Sequence, residues 1–286
     1  MKSIYKSAGA KQKILALYDR QIRELHIPYE DVYVETSFGR THVISCGNKE
    51  RPPLLVFHGG NATTAYNLKY CDFLLPHFHI YAVDTIGHPG KSAETSLPPF
   101  GQAYGRWAKE VIAELGYGKL ACFGGSFGAG ILVKLMCAAP DMVSKSVLLV
   151  PSAIQNAPSV KSMKMMFPMC MYLLTRREKW FIKCLLPMAV RKENISKDIL
   201  ETAKCSIDNA KIKSIMPQNE RTGALQKYKN PVLVMAAEKD CLFPAKGVLR
   251  RAKAVWRQSR CYLLRDRGHI HALTEKEKKM IIRVLS

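Results

Sequence analysis

The chain has 286 residues, 48% hydrophobic and 23% charged, which is ordinary globular composition with enough apolar mass for a sizeable core. No apolar run approaches the length of a membrane span, so none is expected. The formal charge of +21 would attract anions, but Lys and Arg are spread along the chain without an RNA-binding signature or an array of aromatics. A solvated basic surface is therefore expected, and nucleic-acid binding is not. The nine cysteines include no C-x-x-C pair, and the lysines of residues 1–10 have no apolar stretch behind them. That pattern reads as reduced thiols in a cytoplasm, with no secretory signal and no metal site.

Taken in order, residues 11–26 carry Ile14, Tyr18, Ile22 and Leu25 at helical spacing and predict an amphipathic helix on the outside of the domain. Residues 31–36 alternate, Ser37-Phe38-Gly39-Arg40 supplies a turn, and residues 41–46 return, so the fold opens with antiparallel strands. The continuous apolar run at 53–57 reads as a strand covered on both faces, and it ends in His58-Gly59-Gly60-Asn61. Helices are expected at 66–75, 100–115 and 129–139, and strands at 80–83, 120–123 and 146–150. Alternating strands and helices imply right-handed crossovers and a mostly parallel sheet with helices on both faces.

The rhythm breaks at Pro151. Residues 152–225 look helical, methionine-rich and basic, with thirteen Lys and Arg against six Asp and Glu, a net +7. One helix, 161–174, carries Met163, Met165, Met166, Met169 and Met171. The rhythm resumes with strands at 231–237 and 260–264 and helices at 245–256 and 274–285. Residues 1–151 and 226–286 are therefore expected to form one α/β core. Residues 152–225 are expected to form a helical cap over the C-terminal strand ends, where ligands sit in open α/β sheets. The methionines suit either core filling or an adaptable apolar pocket.

The chemistry centres on Gly124-Gly125-Ser126-Phe127-Gly128, a G-x-S-x-G pattern between a strand and a helix. A serine on so sharp a turn needs small neighbours, which Gly124 and Gly128 supply. The following helix aims its N–H groups at an oxygen that becomes negative during reaction. Such a serine needs a base, and the base needs an acid to orient it. Asp240 follows one strand and His269 the next, in the chain order Ser, Asp, His and in the same register at strand ends as Ser126. Glu238 is the rival acid and His271 the rival base. Oxyanion donors are expected from the backbone N–H of Phe127 and from the loop at Gly60 or Asn61, with Gly60 preferred for close approach and Asn61 contacting substrate. His58 is expected to brace that loop. Gly87-His88-Pro89-Gly90-Lys91-Ser92 resembles the end of a phosphate-binding loop, but Thr85 stands where its first glycine belongs, so nucleotide binding is not expected.

His58-Gly59-Gly60, the stretch from Asp84 to Ser92, the serine turn, Asp240 and Gly268-His269 together resemble the α/β-hydrolase superfamily. Phe38-Gly39-Arg40-Thr41-His42-Val43-Ile44 is similar to bacterial carboxylesterases of the naproxen-esterase type. The resemblance covers the chain from about residue 29 onward and is weakest in the cap. It implies an α/β-hydrolase fold with an eight-stranded sheet, a Ser–Asp–His triad and no cofactor. Gly125 is small where many relatives carry a bulkier residue before the serine. A serine hydrolase cleaving small-molecule carboxylic esters through an acyl-enzyme is the expectation. Amidase or peptidase, C–C hydrolase and perhydrolase activities stand as alternatives on the same triad. So does a non-catalytic ligand-binding or regulatory protein, and a homodimer is left open.

Overall fold

The computed structural model describes residues 3–158, 163–211 and 215–286. Eight strands form one sheet: β1 Tyr29–Val34, β2 Thr41–Cys46, β3 Pro53–Phe57, β4 His79–Val83, β5 Leu120–Gly125, β6 Val143–Leu149, β7 Val232–Ala237 and β8 Ser259–Leu264. Their order is β1-β2-β4-β3-β5-β6-β7-β8. β2 pairs antiparallel with β1 and β4, and every other neighbouring pair is parallel. This is the eight-stranded, mostly parallel arrangement that the resemblance implies.

Period-two alternation explains why the strands read as unbroken apolar runs. Leu55, Phe57, Cys122 and Val234 face one core, with α3 Ala103–Glu114, α4 Phe127–Ala138 and α9 Ala245–Val255. Leu54, Val56, Phe123 and Met235 face the other, with α1 Ala8–Arg23, α2 Thr64–Tyr70 and α10 Glu275–Leu285. Both faces are covered, so neither could be polar. α10 begins with a reciprocal cap: the Thr274 hydroxyl accepts from Glu277 N–H while the Glu277 carboxylate accepts from Thr274 N–H.

Several boundaries differ by a few residues from the sequence expectation, and three of the differences have a local cause. α1 starts at Ala8, where the Ser7 hydroxyl caps it by accepting from Ala10 N–H; small residues in that first turn gave no apolar period to read. The expected helix at 66–75 is α2 followed by a separate 3-10 turn, Asp72–Leu74. β6 starts three residues early, because Ser144 and Lys145 are only half-buried and so break the apolar run.

Between β6 and β7 lie α5 Met163–Thr175, α6 Glu178–Ala189, α7 Lys197–Asn209 and the short α8 Thr222–Leu225. Positions 161 and 162 of the expected methionine-rich helix, and Lys213 of the charge count, fall outside the described residues. The flanks of this segment pack on the sheet layer: Ala153, Ile154 and Leu225 are buried in the α3–α4–α9 core. The N-terminal segment holds α7 in place. Lys6 N–H donates to Asn209 carbonyl at 2.9 Å, Lys211 N–H to Ile4 carbonyl at 2.7 Å, and Gln21 Nε2 to Thr202 Oγ1 at 2.8 Å. Among the described residues no helix is long and apolar enough to cross a membrane.

Candidate active site

Ser126 sits at the junction of β5 and α4 with φ 54° and ψ −113°. A non-glycine residue in this region is strained and persists only when its surroundings over-determine it. Here they do. Ser126 N–H donates to Leu149 carbonyl at 2.9 Å, and Ser126 carbonyl accepts from Gly130 N–H at 3.1 Å and Ser152 Oγ at 3.2 Å. The glycines leave no room for side chains: a Cβ on Gly124 would lie 2.7 Å from Ala129 N, and one on Gly128 would lie 2.4 Å from Phe57 carbonyl. The sharp turn thus lets α4 pack directly against the end of β3. Val150 (φ 41°), Ala153 (φ 67°) and Asn61 (φ 55°) share the positive-φ region with Ser126, as do His26, Arg176, Val190 and Asp266 elsewhere in the chain.

Ser126 Oγ lies 2.8 Å from His269 Nε2, and His269 Nδ1 lies 2.8 Å from Asp240 Oδ2. The other carboxylate oxygen of Asp240 accepts from Leu242 N–H at 2.7 Å and Phe243 N–H at 3.1 Å, which fixes the carboxylate against rotation. Asp240 is buried, and the Phe243 ring meets the His269 ring edge-on at 5.3 Å. The loop carrying His269 is braced by the inserted segment. Ile270 N–H donates to Met188 carbonyl at 3.0 Å, and a Cβ on Gly268 would lie 2.2 Å from that same oxygen. Glycine at 268 is therefore what lets the histidine loop close on α6.

Neither rival is hydrogen-bonded to Ser126 Oγ or to the His269 ring. Glu238 is exposed, and its carboxylate accepts from Asp266 N–H at 2.8 Å. His271 is buried, with Nδ1 against Gly268 carbonyl at 3.0 Å. Burial, opposed by that backbone bond, pushes its pKa down to about 4. His58 braces its loop as expected: Nε2 accepts from Thr85 N–H at 3.1 Å and Nδ1 donates to Gly59 carbonyl at 2.8 Å. Burial lowers its pKa too, although Asp84 and the Gly59 bond oppose the shift.

A cavity of about 230 Å³ opens over Ser126 and His269. Gly59, Gly60 and Asn61 line one part of it, and the apolar side chains of Met165, Met169, Phe181, Leu185 and Ile199 from α5, α6 and α7 line another. Gly60 faces the start of α4, since its missing Cβ would stand 3.5 Å from Phe127 Cβ. Sequence spacing gave no signal for several further wall residues, because they come from separated elements: Asn67 from α2, Thr202 from α7, and Met216. Asn67 Nδ2 and His271 Nε2 are buried here without a hydrogen-bond partner among the described residues. Among those residues no cluster of His, Cys, Asp and Glu could hold a metal ion.

Sequence spacing also gave no sign of a buried polar network beneath the phosphate-loop look-alike. Asp84 accepts from His42 Nδ1 at 2.8 Å, Lys91 N–H at 2.8 Å and Tyr18 hydroxyl at 3.2 Å, while His42 Nε2 meets Asp31 at 2.6 Å. Burial pushes the Asp84 pKa up, but the bonds from His42 and the other donors outweigh it and hold it below the usual carboxylate range. A Cβ on Gly90 would lie 2.8 Å from this carboxylate, so the glycine serves the turn over Asp84.

Residues 52–206 match the family model described as alpha/beta hydrolase fold. The chain is 32% identical over 135 residues to carboxylesterase YbfK of Bacillus subtilis, a match covering 47% of this chain and 46% of that protein. It is 28% identical over 136 residues to the uncharacterized carboxylesterase nap of the same organism, covering 47% and 45%. The matched stretches thus span about half the length of those relatives. Among solved structures, the B. subtilis carboxylesterase CesB (YbfK) superposes with a TM-score of 0.81 at 22% identity, over 97% of this chain and 99% of that one. The B. subtilis naproxen esterase superposes with a TM-score of 0.82 at 18% identity, over 98% and 100%.

Proposed function

The chain belongs to the α/β hydrolase fold family, and from that premise we propose that it is a serine carboxylesterase acting on small-molecule esters. The observation that carries this reading is the hydrogen-bonded series Ser126–His269–Asp240, held at a strained turn on the floor of an apolar cavity. The carboxylesterase relatives support the ester class.

In the proposed mechanism Ser126 Oγ attacks the ester carbonyl while His269 Nε2 takes its proton. Asp240 keeps the His269 Nδ1–H pointed away from the serine and stabilises the imidazolium. The negative oxygen of the tetrahedral intermediate accepts from the N–H groups of Phe127 and Gly60, the former at a helix N-terminus. His269 then protonates the leaving alcohol. Water, deprotonated by the same imidazole, attacks the acyl-enzyme and releases the acid. Asn61 contacts the substrate beside the oxyanion site. The helices within residues 152–225 serve as the cap, and their Met165, Met169 and Phe181 side chains receive the apolar part of the ester.

Turnover of p-nitrophenyl butyrate by wild type, lost in Ser126→Ala, is the expected result. Wild-type rates in Ser126→Ala would reject the assignment. An amide and C–C substrate panel run on the wild type separates ester hydrolysis from the other reactions the same three residues could perform.

A further inference from the structure

The outer face of α5 is built the wrong way round for a surface helix. Met163, Met166, Phe167, Cys170, Leu173 and Leu174 recur at intervals of three and four residues, so they form one stripe, and all six are exposed. Phe167 is 66% and Leu174 80% exposed. The opposite stripe is also apolar: Met165 and Met169 line the cavity and Tyr172 is buried. A helix apolar on two faces is expected where both faces are covered, and here only one is. The exposed stripe continues onto α6, where the Trp180 ring meets Phe167 edge-on at 5.9 Å and Leu186 is exposed.

The charge around the stripe selects its partner. α5, α6 and the two residues joining them carry Lys164, Arg176, Arg177, Lys179 and Lys183 against the single Glu178. Glu178 is engaged by Lys204 at 3.2 Å and Arg176 by Asp208 at 2.8 Å. Lys179 and Lys183 lie over the Trp180 ring, at 5.8 and 4.6 Å from its centre, with no ion pair among the described residues. Exposed aliphatic and aromatic groups flanked by unpaired cations, with a tryptophan at the border, are what an anionic lipid surface takes up. A second copy of the chain fits less well, because each carries +21.

We propose that the α5–α6 face docks on anionic lipid surfaces, with Met166, Phe167 and Leu174 entering the headgroup–acyl boundary and Lys164, Arg177, Lys179 and Lys183 meeting the lipid phosphates. This docking is independent of the ester chemistry, so either can fail without the other.

The test is co-sedimentation of the full-length protein with vesicles of pure phosphatidylcholine or of phosphatidylcholine with 40% phosphatidylglycerol, alongside tryptophan emission. Binding to the anionic vesicles is expected to be stronger by about tenfold or more and to weaken with added salt. Emission should shift to the blue, since Trp107 and Trp256 are already buried and Trp180 is the one left to respond. Phe167→Ser/Leu174→Ser should lose the binding, and so should Lys179→Glu/Lys183→Glu, with p-nitrophenyl acetate turnover unchanged from wild type in both. Equal partition onto the two vesicle types, or binding unaltered in both variants, would overturn the proposal. So would a stable dimer in sedimentation velocity that Phe167→Ser/Leu174→Ser dissociates, since the stripe would then be a self-association surface.

Discussion

Replacing Asp240 by Asn probes the proposed proton relay through a feature specific to this site. One carboxylate oxygen accepts from two backbone N–H groups, of Leu242 and Phe243, and the other accepts from His269 Nδ1. In Asp240→Asn the amide oxygen must stay with the two N–H donors, because the NH2 group would clash with them. The NH2 group then faces His269 Nδ1. That ring nitrogen can no longer carry hydrogen without opposing another donor, so the proton moves to Nε2, where it points at Ser126 Oγ. The base is then in the wrong tautomer although every heavy atom stays in place. A kcat loss of about 10³–10⁴ is expected, corresponding to about 4–5.5 kcal/mol of barrier. Stability should fall by only about 1–2 kcal/mol, since the two backbone bonds persist. The assay is p-nitrophenyl ester turnover by Asp240→Asn beside Glu238→Gln, with urea unfolding of each. Glu238→Gln should stay within about twofold of wild type. A loss below tenfold in Asp240→Asn, or a large loss in Glu238→Gln, would refute this assignment of the acid.

Two further predictions concern the body of the fold. Lys134 and Glu220 form a buried ion pair, reinforced by Gln102 Nε2 at 2.9 Å from Glu220. Glu220→Leu leaves Lys134 buried without its partner and should cost about 3–5 kcal/mol in urea unfolding, while Lys134→Met/Glu220→Leu should recover most of that. In acid, buried His271 has its folded pKa pushed from 6.5 down to about 4, and His58 is shifted the same way. The unfolded chain therefore takes up protons that the native one refuses. Stability should be complete above pH 6.5 and decline towards pH 4, by about 3 kcal/mol for His271 alone. Thermal midpoints measured across that range check this, and His271→Gln should flatten the decline.

Much of the scaffold was legible because its signals are local. The apolar runs of β3 and β7 are continuous since both sheet faces are covered, and Gly124 and Gly128 mark a turn that no side chain could make. Ser126, Asp240 and His269 were legible as a set because each follows a strand of a parallel sheet, and parallel strands deliver their ends to one side. What was not legible depends on contacts between distant segments. Asp84 draws His42 from β2, Tyr18 from α1 and Lys91 from the loop after β4, and Glu220 reaches Lys134 across 86 residues. No spacing rule links such positions. The inward turn of Met165 and Met169 and the outward turn of Met166 were equally hidden, because α5 is apolar on both stripes and its single charged residue, Lys164, does not tell one from the other.

The central claim is that Ser126 is a nucleophile activated by His269. Its most direct measurement is reaction of the intact protein with a fluorophosphonate, followed by mass spectrometry of the peptides. One adduct per chain, on Ser126, and absent after prior heat denaturation, is the result this account predicts. An unlabelled Ser126 in the folded protein, or an adduct on another residue, would contradict it.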